Sequence, residues 1–245
     1  LASGKTSKQQ AAYAEMYENA QIGMTIISRD LLLAGYARPT ILNPAGTAFM
    51  RTHTERPVFG CDNGFASPNT VGVAACAVGA GQPALEVAYE ADLTNTVPTG
   101  ANVPSDCLGN GLADAGGYFV AFNRYYLAAS AAGRSELHCA SRQGSTGQPL
   151  VDNVDNMKVW YGEANAANPR AIVRYVSAGN VVDWGRVVSV RVCLLLRSTE
   201  PLLQSGGNED TLTYLDCDSV QQASADRFLR RAYFTTTTLR NKMAL

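Results

Sequence analysis

The residues best equipped for chemistry in this 245-residue chain are six cysteines, two histidines and a few short carboxylate runs. The cysteines are Cys61, Cys76, Cys107, Cys139, Cys193 and Cys217, and none sits in a CxxC pair. The usual zinc and thioredoxin-like spacings are therefore absent. An even number of widely spaced cysteines fits disulfides formed in an oxidising compartment. Sequence leaves several pairings open. The sequential one (Cys61 with Cys76, Cys107 with Cys139, Cys193 with Cys217) is favoured because each loop is short enough to close locally, and each bridge would contribute about 2–4 kcal/mol. The competing reading is six buried, reduced thiols in a cytosolic protein.

The other chemical signals are weaker. "SGKT" at Ser3–Thr6 resembles the tail of a phosphate-binding loop, but the earlier glycine and the strand that the motif requires are not seen, so it reads as a chance match. "DNVDN" at 152–156 with Glu163 invites a calcium-loop reading. That loop needs Asp or Asn at its third position and Gly at its sixth, where this chain has Val154 and Met157. A polar turn entering a strand accounts for it better, and "GGNEDT" at 206–211 likewise reads as a solvated turn. His53 and His138 lack a nucleophile at triad spacing; "GSTG" at 144–147 is not a nucleophile elbow. Cys139 follows His138 directly, and adjacent strand residues point to opposite faces. No set passes as catalytic, and no enzyme activity, cofactor or metal is expected. Arg227, Arg230, Arg231, Arg240 and Lys242 lie among Phe228, Tyr233 and Phe234. That cluster could bind phosphates with aromatic stacking, but charged ends protecting an edge strand are the plainer explanation.

Composition supports a globular protein. Apolar residues are 46%, charged residues 17% and net charge is -1, which gives no basic surplus for a dedicated nucleic-acid binder. Residues 5–35 carry a helical stripe, Tyr13, Tyr17, Ala20, Met24, Ile27, Leu31 and Ala34, spaced alternately by four and three residues. Lys8, Glu15, Gln21, Thr25 and Ser28 lie opposite. Gly35 fits a C-terminal cap, and Pro39 blocks continuation. Such a helix is a rod of about 45 Å. Residues 40–82 and 93–117 read as long Gly-, Pro- and Asn-rich loops. Strand alternation marks 84–91, 117–128, 134–141, 154–163, 171–178, 185–198, 210–216 and 230–241. One helix followed by a run of strands, without βαβ alternation, gives an α+β class with a long N-terminal amphipathic helix packed on antiparallel β-sheets. No stretch is apolar enough to span a membrane.

Four segments carry a resemblance to a family. They are "ENAQIGMTIISRDLLLAGY" at 18–36, "QPLVDNVDNMKVWYGE" at 148–163, "VVSVRVCLLLRS" at 187–198 behind Trp184, and "LRRAYFTTTTLRN" at 229–241. In these the chain resembles the minor pilins of type IV pili, in particular the PilW type, and more distantly the J-type pseudopilin of type II secretion. The resemblance implies a pilin-like fold, with residues 1–36 as the C-terminal half of the pilin helix and 37–245 as a β-rich head forming one domain with it. It implies that a preceding apolar half-helix, not in this sequence, anchors the protein in the inner membrane, so that the given chain is a soluble truncation. The role implied is structural: initiation and assembly of the pilus in a tip-located complex, moving from inner membrane and periplasm to the surface fibre. Its partners would be other minor pilins and the major pilin, with no small-molecule substrate and no nucleic acid. The stripe from Tyr13 to Leu31 would pack on the protein's own sheet, while Lys8, Glu15 and Gln21 would meet neighbouring subunits. Loops between 40 and 115 would contact sister pilins or an outside surface. The alternatives are a secretion pseudopilin and a tip adhesin or DNA-uptake receptor.

Overall fold

The computed structural model describes residues 2–42, 49–53, 55–72, 74–144, 146–202 and 212–242. Helix α1 spans Ala2–Leu33 and is followed by β1 (Pro39–Leu42), β2 (Phe49–Arg51), β3 (Val58–Cys61), β4 (Ala84–Ala91), β5 (Phe119–Ala129), β6 (Ser135–Ser141), β7 (Gln148–Val151), β8 (Val154–Ala164), β9 (Ile172–Val176), β10 (Val187–Arg197), β11 (Thr213–Leu215), β12 (Gln221–Ala223) and β13 (Arg230–Thr238). Among the described residues every strand pairing is antiparallel. A five-stranded sheet runs in the order β3-β4-β5-β6-β7, a four-stranded sheet in the order β13-β10-β8-β9, and β1-β2 and β11-β12 form separate pairs. The class is α+β: one N-terminal helix and antiparallel sheets.

Helix α1 packs on β4 and β7 of the first sheet and on β10 and β13 of the second, so one core serves both. Its sheet side comes from alternate strand residues: Leu85, Val87 and Tyr89 on β4, Met157, Val159 and Tyr161 on β8, and Val190, Val192, Leu194 and Leu196 on β10. The second half of β10 reads "CLLLR" rather than alternating because its outer face is also covered. Cys193 and Leu195 cluster there with Cys217, Trp160 and Tyr214. β4 is buried on both faces for the same reason.

The buried stripe of α1 follows the expected spacing from Ala20 to Ala34 and departs from it in the earlier turns. Met16 is 1% exposed and lies in the core, whereas Tyr17 is 55% exposed. Ala20, Met24, Ile27, Leu31 and Ala34 are buried and Tyr13 is half-buried. Gly23 also belongs to the buried side. A Cβ there would lie 3.0 Å from Leu194, 3.2 Å from Leu137 and 3.3 Å from Val151, so the bare backbone makes the closest approach to the sheets. The helix ends as expected: Gly35 takes a φ of 75° and the Tyr36 N–H donates to the Leu33 carbonyl at 2.8 Å. Asn241 Nδ2 caps the Leu32 and Leu33 carbonyls from the far end of the chain, at 3.1 and 3.3 Å.

The segment 40–82, read from sequence as loop, contains β1, β2 and β3. These are only three or four residues long, too short to show a period, and β3 exists because β4 pairs with it. Residues 93–117 contain no strand. Carboxylates fold this stretch into turns: Asp106 Oδ1 accepts from the N–H groups of Leu108 and Asn110 at 2.8 and 3.0 Å.

The disulfides join Cys61 to Cys76, Cys107 to Cys139 and Cys193 to Cys217. Each ties a loop or hairpin to a strand: residues 62–76 to β3, 92–117 to β6, and the β11-β12 hairpin to β10. Where β3 crosses β8 the packing has no slack. A Cβ at Gly60 would lie 1.8 Å from Tyr161 Oη, a buried hydroxyl with no hydrogen-bond partner among the described residues. Gly60→Ala is expected to lower stability by about 1–3 kcal/mol through overpacking. Tyr161→Phe alone is expected to be neutral or stabilising, because it removes an unsatisfied buried group, and to recover part of the Gly60→Ala loss. Urea midpoints of the two single variants and the double variant measure both effects.

Candidate subunit interface

The outward half of α1 carries Lys8, Glu15, Glu18, Gln21, Thr25 and Arg29, all exposed. Large apolar side chains share it: Tyr17, Ile22 at 50% exposure and Leu32 at 44%. These exposed apolar groups interleaved with charges make this helix face a candidate contact surface. The three residues expected to meet neighbours are not equivalent. Glu15 Oε1 accepts from the Thr199 hydroxyl at 2.5 Å, so this carboxylate also ties the helix to its own head. Lys8 and Gln21 have no such partner among the described residues. Tyr17, displaced from the core, rests at a tilt against Tyr233 with ring centroids 6.2 Å apart. Arg231 lies over Tyr13 and Tyr233 at 5.9 and 5.8 Å, which lines the β13 flank of the helix with aromatic and cationic groups.

What holds this face outward is a buried carboxylate that the apolar pattern did not reveal. Asp30 lies on the sheet side of α1 and accepts from Tyr125 Oη at 2.5 Å, Asn123 Nδ2 at 2.7 Å and Tyr89 Oη at 3.1 Å. All four side chains are buried. Burial raises the Asp30 pKa, and the three donors and Arg29 offset that only in part. Tyr89 and Tyr125 are pushed up in turn, by burial first and then by the Asp30 charge. One flank of this cluster borders a cavity of about 240 Å3 beneath the loop that carries Cys107. The three donors to Asp30 share one trait along the chain: Tyr89, Asn123 and Tyr125 all fall on the inward-facing sides of strands.

Other buried carboxylates anchor connections. Glu90 accepts from the Arg38 N–H at 2.7 Å, the Thr52 hydroxyl at 2.5 Å and the Arg38 guanidinium, fixing the chain that leaves the helix. Burial alone would raise Glu90, but these donors outweigh it and hold its pKa below the usual carboxylate range. Glu163 is lowered in the same way: burial is outweighed by the Asp183 and Val182 N–H groups and by Arg174.

The remaining sequence signals are dispersed. Ser3–Thr6 lies within the first turns of α1. Asn153 turns with a φ of 57°, and Asp155 is engaged by Arg230 at 2.7 Å and Arg197 at 3.7 Å. Residues 206–211 lie outside the described residues, as does Ser145 of "GSTG". His53 bonds the Tyr36 carbonyl, while His138 contacts Glu136 at 3.1 Å, so the two histidines serve different neighbourhoods. Arg230 is committed to Asp155 and Asp226 on edge strand β13. Among the described residues no three His, Cys, Asp or Glu side chains could hold a metal ion, and no helix is long and apolar enough to cross a membrane.

Comparison with known proteins finds a match to a family model over part of the chain. Residues 124–241 match the family model described as type IV pilus-assembly protein W, a span from β5 to the C-terminal cap of the helix. No curated protein matches the chain. Among solved structures the chain is similar to a type IV-like pilin from Thermus thermophilus, at 13% identity and a TM-score of 0.43, over 93% of this chain and 98% of that one.

Proposed function

From the PilW match over residues 124–241, we propose that this chain is a minor pilin that takes part in initiating and assembling the type IV pilus, in a complex at the fibre tip. In this reading α1 is the lower half of a long amphipathic pilin helix. Its Met16–Ala34 stripe is spent on the head, and its outward half, with Lys8, Gln21, Ile22 and Arg29, packs against other minor pilins and the major pilin. The Asp30 cluster sets the rotation of the helix and so decides which residues face outward. The disulfides suit a head that folds in the periplasm and is then displayed on the cell surface. The disulfide-tied loops at 62–76 and 92–117 are the surfaces left for sister subunits. No step of this role is catalytic.

The test is the double variant Gln21→Arg/Ile22→Arg in a host carrying the gene. Both positions are exposed, so the purified chain should keep its stability within about 0.5 kcal/mol. Surface pili should fall by about tenfold or more, as expected when two charges enter a packed helix face and cost at least ~1.4 kcal/mol. Normal piliation and motility would refute the interface. Normal piliation with impaired protein secretion would move the chain to a secretion pseudopilin. Antibody labelling confined to fibre ends is expected, and labelling along the shaft would remove the tip assignment.

A further inference from the structure

β9 pairs with β8 only over Tyr161–Ala164. Among the described residues no strand covers the same edge of β8 from Asn156 to Trp160. A cleft of about 350 Å3 fills this position, lined by Asp62, Gln82, Asn156, Lys158, Trp160 and Ser177. Asn156, Lys158 and Trp160 alternate with the core residues Met157, Val159 and Tyr161, so their side chains leave the face of the sheet opposite to α1. The cleft therefore stays open whether or not the outward half of the helix is occupied.

We infer that this cleft binds a neutral saccharide of one or two rings. Its formal charges are already spent. Asp62 accepts from the N–H groups of Ala178 and Gly179, each at 2.8 Å, and Lys158 is paired with Asp218. Neutral hydrogen-bonding groups, in contrast, are unspent. The Gln82 carboxamide and Trp160 indole N–H have no partner among the described residues; Asn156 Oδ1 has none either, but it is shielded from solvent and adds nothing to the open surface of the cleft. An anion finds no free cation in this cleft, and a wholly apolar ligand finds Trp160, Pro83 and Val159 but leaves the polar walls unanswered. A sugar ring offers what the cleft lacks: a C–H face for the indole and hydroxyls that both donate to and accept from carboxamides. The volume lies at the low end of the roughly 300–1,000 Å3 typical of small-ligand sites. The walls are fixed before binding. Trp160 packs on the Cys193–Cys217 cluster, Asp62 follows the Cys61–Cys76 bridge, and the Asp62 carboxylate holds the Ser177 turn. Fixed walls reduce the ordering cost that weakens sugar binding on mobile loops.

The experiment is saturation-transfer NMR on the whole chain with glucose, galactose, mannose, N-acetylglucosamine, lactose and diacetylchitobiose, followed by titration of every sugar that responds. At least one sugar should bind, and Trp160→Ala and Gln82→Ala should each weaken it by about tenfold, the equivalent of ~1.4 kcal/mol. Trp160 also supports the disulfide cluster, so Gln82→Ala, at an exposed position, separates binding from folding. The helix-face variant Gln21→Arg/Ile22→Arg should bind the sugar normally, so the inference stands or falls independently of the pilus reading. It is overturned if no sugar saturates below about 10 mM, if binding is equal in both cleft variants, or if the tetrapeptide Gly-Asn-Gly-Ser binds more tightly than any sugar, which would make the open β8 edge a strand-addition site.

Discussion

Arg124→Met should cost about 3–5 kcal/mol, because it strands a buried charge. Arg124 is 1% exposed and sits directly across from Glu86 in the β4–β5 register. Its Nε donates to Glu86 Oε2 at 2.7 Å. The rest of the guanidinium serves the loop above: Nη1 donates to the carbonyls of Pro68 at 3.0 Å and Thr70 at 2.8 Å, and Nη2 to that of Gly72 at 2.5 Å. One side chain therefore neutralises a buried carboxylate and satisfies three backbone acceptors in the loop closed by Cys61–Cys76. Methionine fills most of the volume and supplies no donor, so Glu86 is left buried without its cation. Lysine keeps the charge but not the planar fork, so Arg124→Lys should lose less than methionine yet remain clearly below wild type. The double variant Arg124→Met/Glu86→Leu should recover much of the loss, since no buried charge is left unpaired. Urea unfolding of these variants gives the coupling energy. A loss below about 1 kcal/mol in Arg124→Met, the scale of an exposed pair, would show that the pair is hydrated and not structural.

Arg124 also marks where sequence reading stops. The strands that alternate, such as 84–91, 154–163 and 185–198, were legible because one face of each meets the core. β1, β2 and β3 were not, since runs of three or four residues carry no period and owe their existence to partners far along the chain. Glu86 and Glu90 look like the solvent side of β4, and nothing local says that Arg124 and a disulfide-tied loop cover the first while Arg38 and Thr52 cover the second. The helix was legible in extent, in its Gly35 stop and in the Ala20–Ala34 part of its stripe, but not at Met16, Tyr17, Gly23 and Asp30. An apolar pattern favours Tyr17 over Gly23 and Asp30, yet a glycine packs closest of all, and an aspartate is accepted in the core when two tyrosines and an asparagine await it. The outward residues Lys8, Glu15 and Gln21 could be named from the pattern, whereas the Thr199 bond to Glu15 needed the fold.

Asp30→Ala should cost about 2–4 kcal/mol, because it leaves two tyrosine hydroxyls and the Asn123 amide buried without their acceptor. Asp30→Asn carries the more specific prediction, which concerns pH. In the folded protein the Asp30 pKa is raised, chiefly by burial, above the roughly 3.9 of an unfolded aspartate. The native state therefore holds this proton more tightly than the unfolded chain does. Its contribution is complete below about pH 3.9 and is lost as pH rises through the folded-state value. Glu90 and Glu163 act in the opposite sense, since their lowered values give stability above about pH 4.3 that disappears on acidification. The groups facing Asp30 are Tyr89 from β4, Asn123 and Tyr125 from β5, Arg29 from its own helix, and Asp106 across the adjoining cavity. The tyrosines are pushed up and do not titrate in the acidic range, so the raised Asp30 carries the local response. Wild type should thus lose stability from this site as pH rises above about 4, and Asp30→Asn should remove that component of the slope while leaving the acid limb set by Glu90 and Glu163 intact. Urea midpoints over that range compare the two directly, and parallel curves above about pH 4 would show that Asp30 is not the titrating group. Because Asp30 fixes the rotation of α1, Asp30→Ala should also speed amide exchange in residues 26–33 ahead of the β8–β10 core, an order that an effect on global stability alone would not produce.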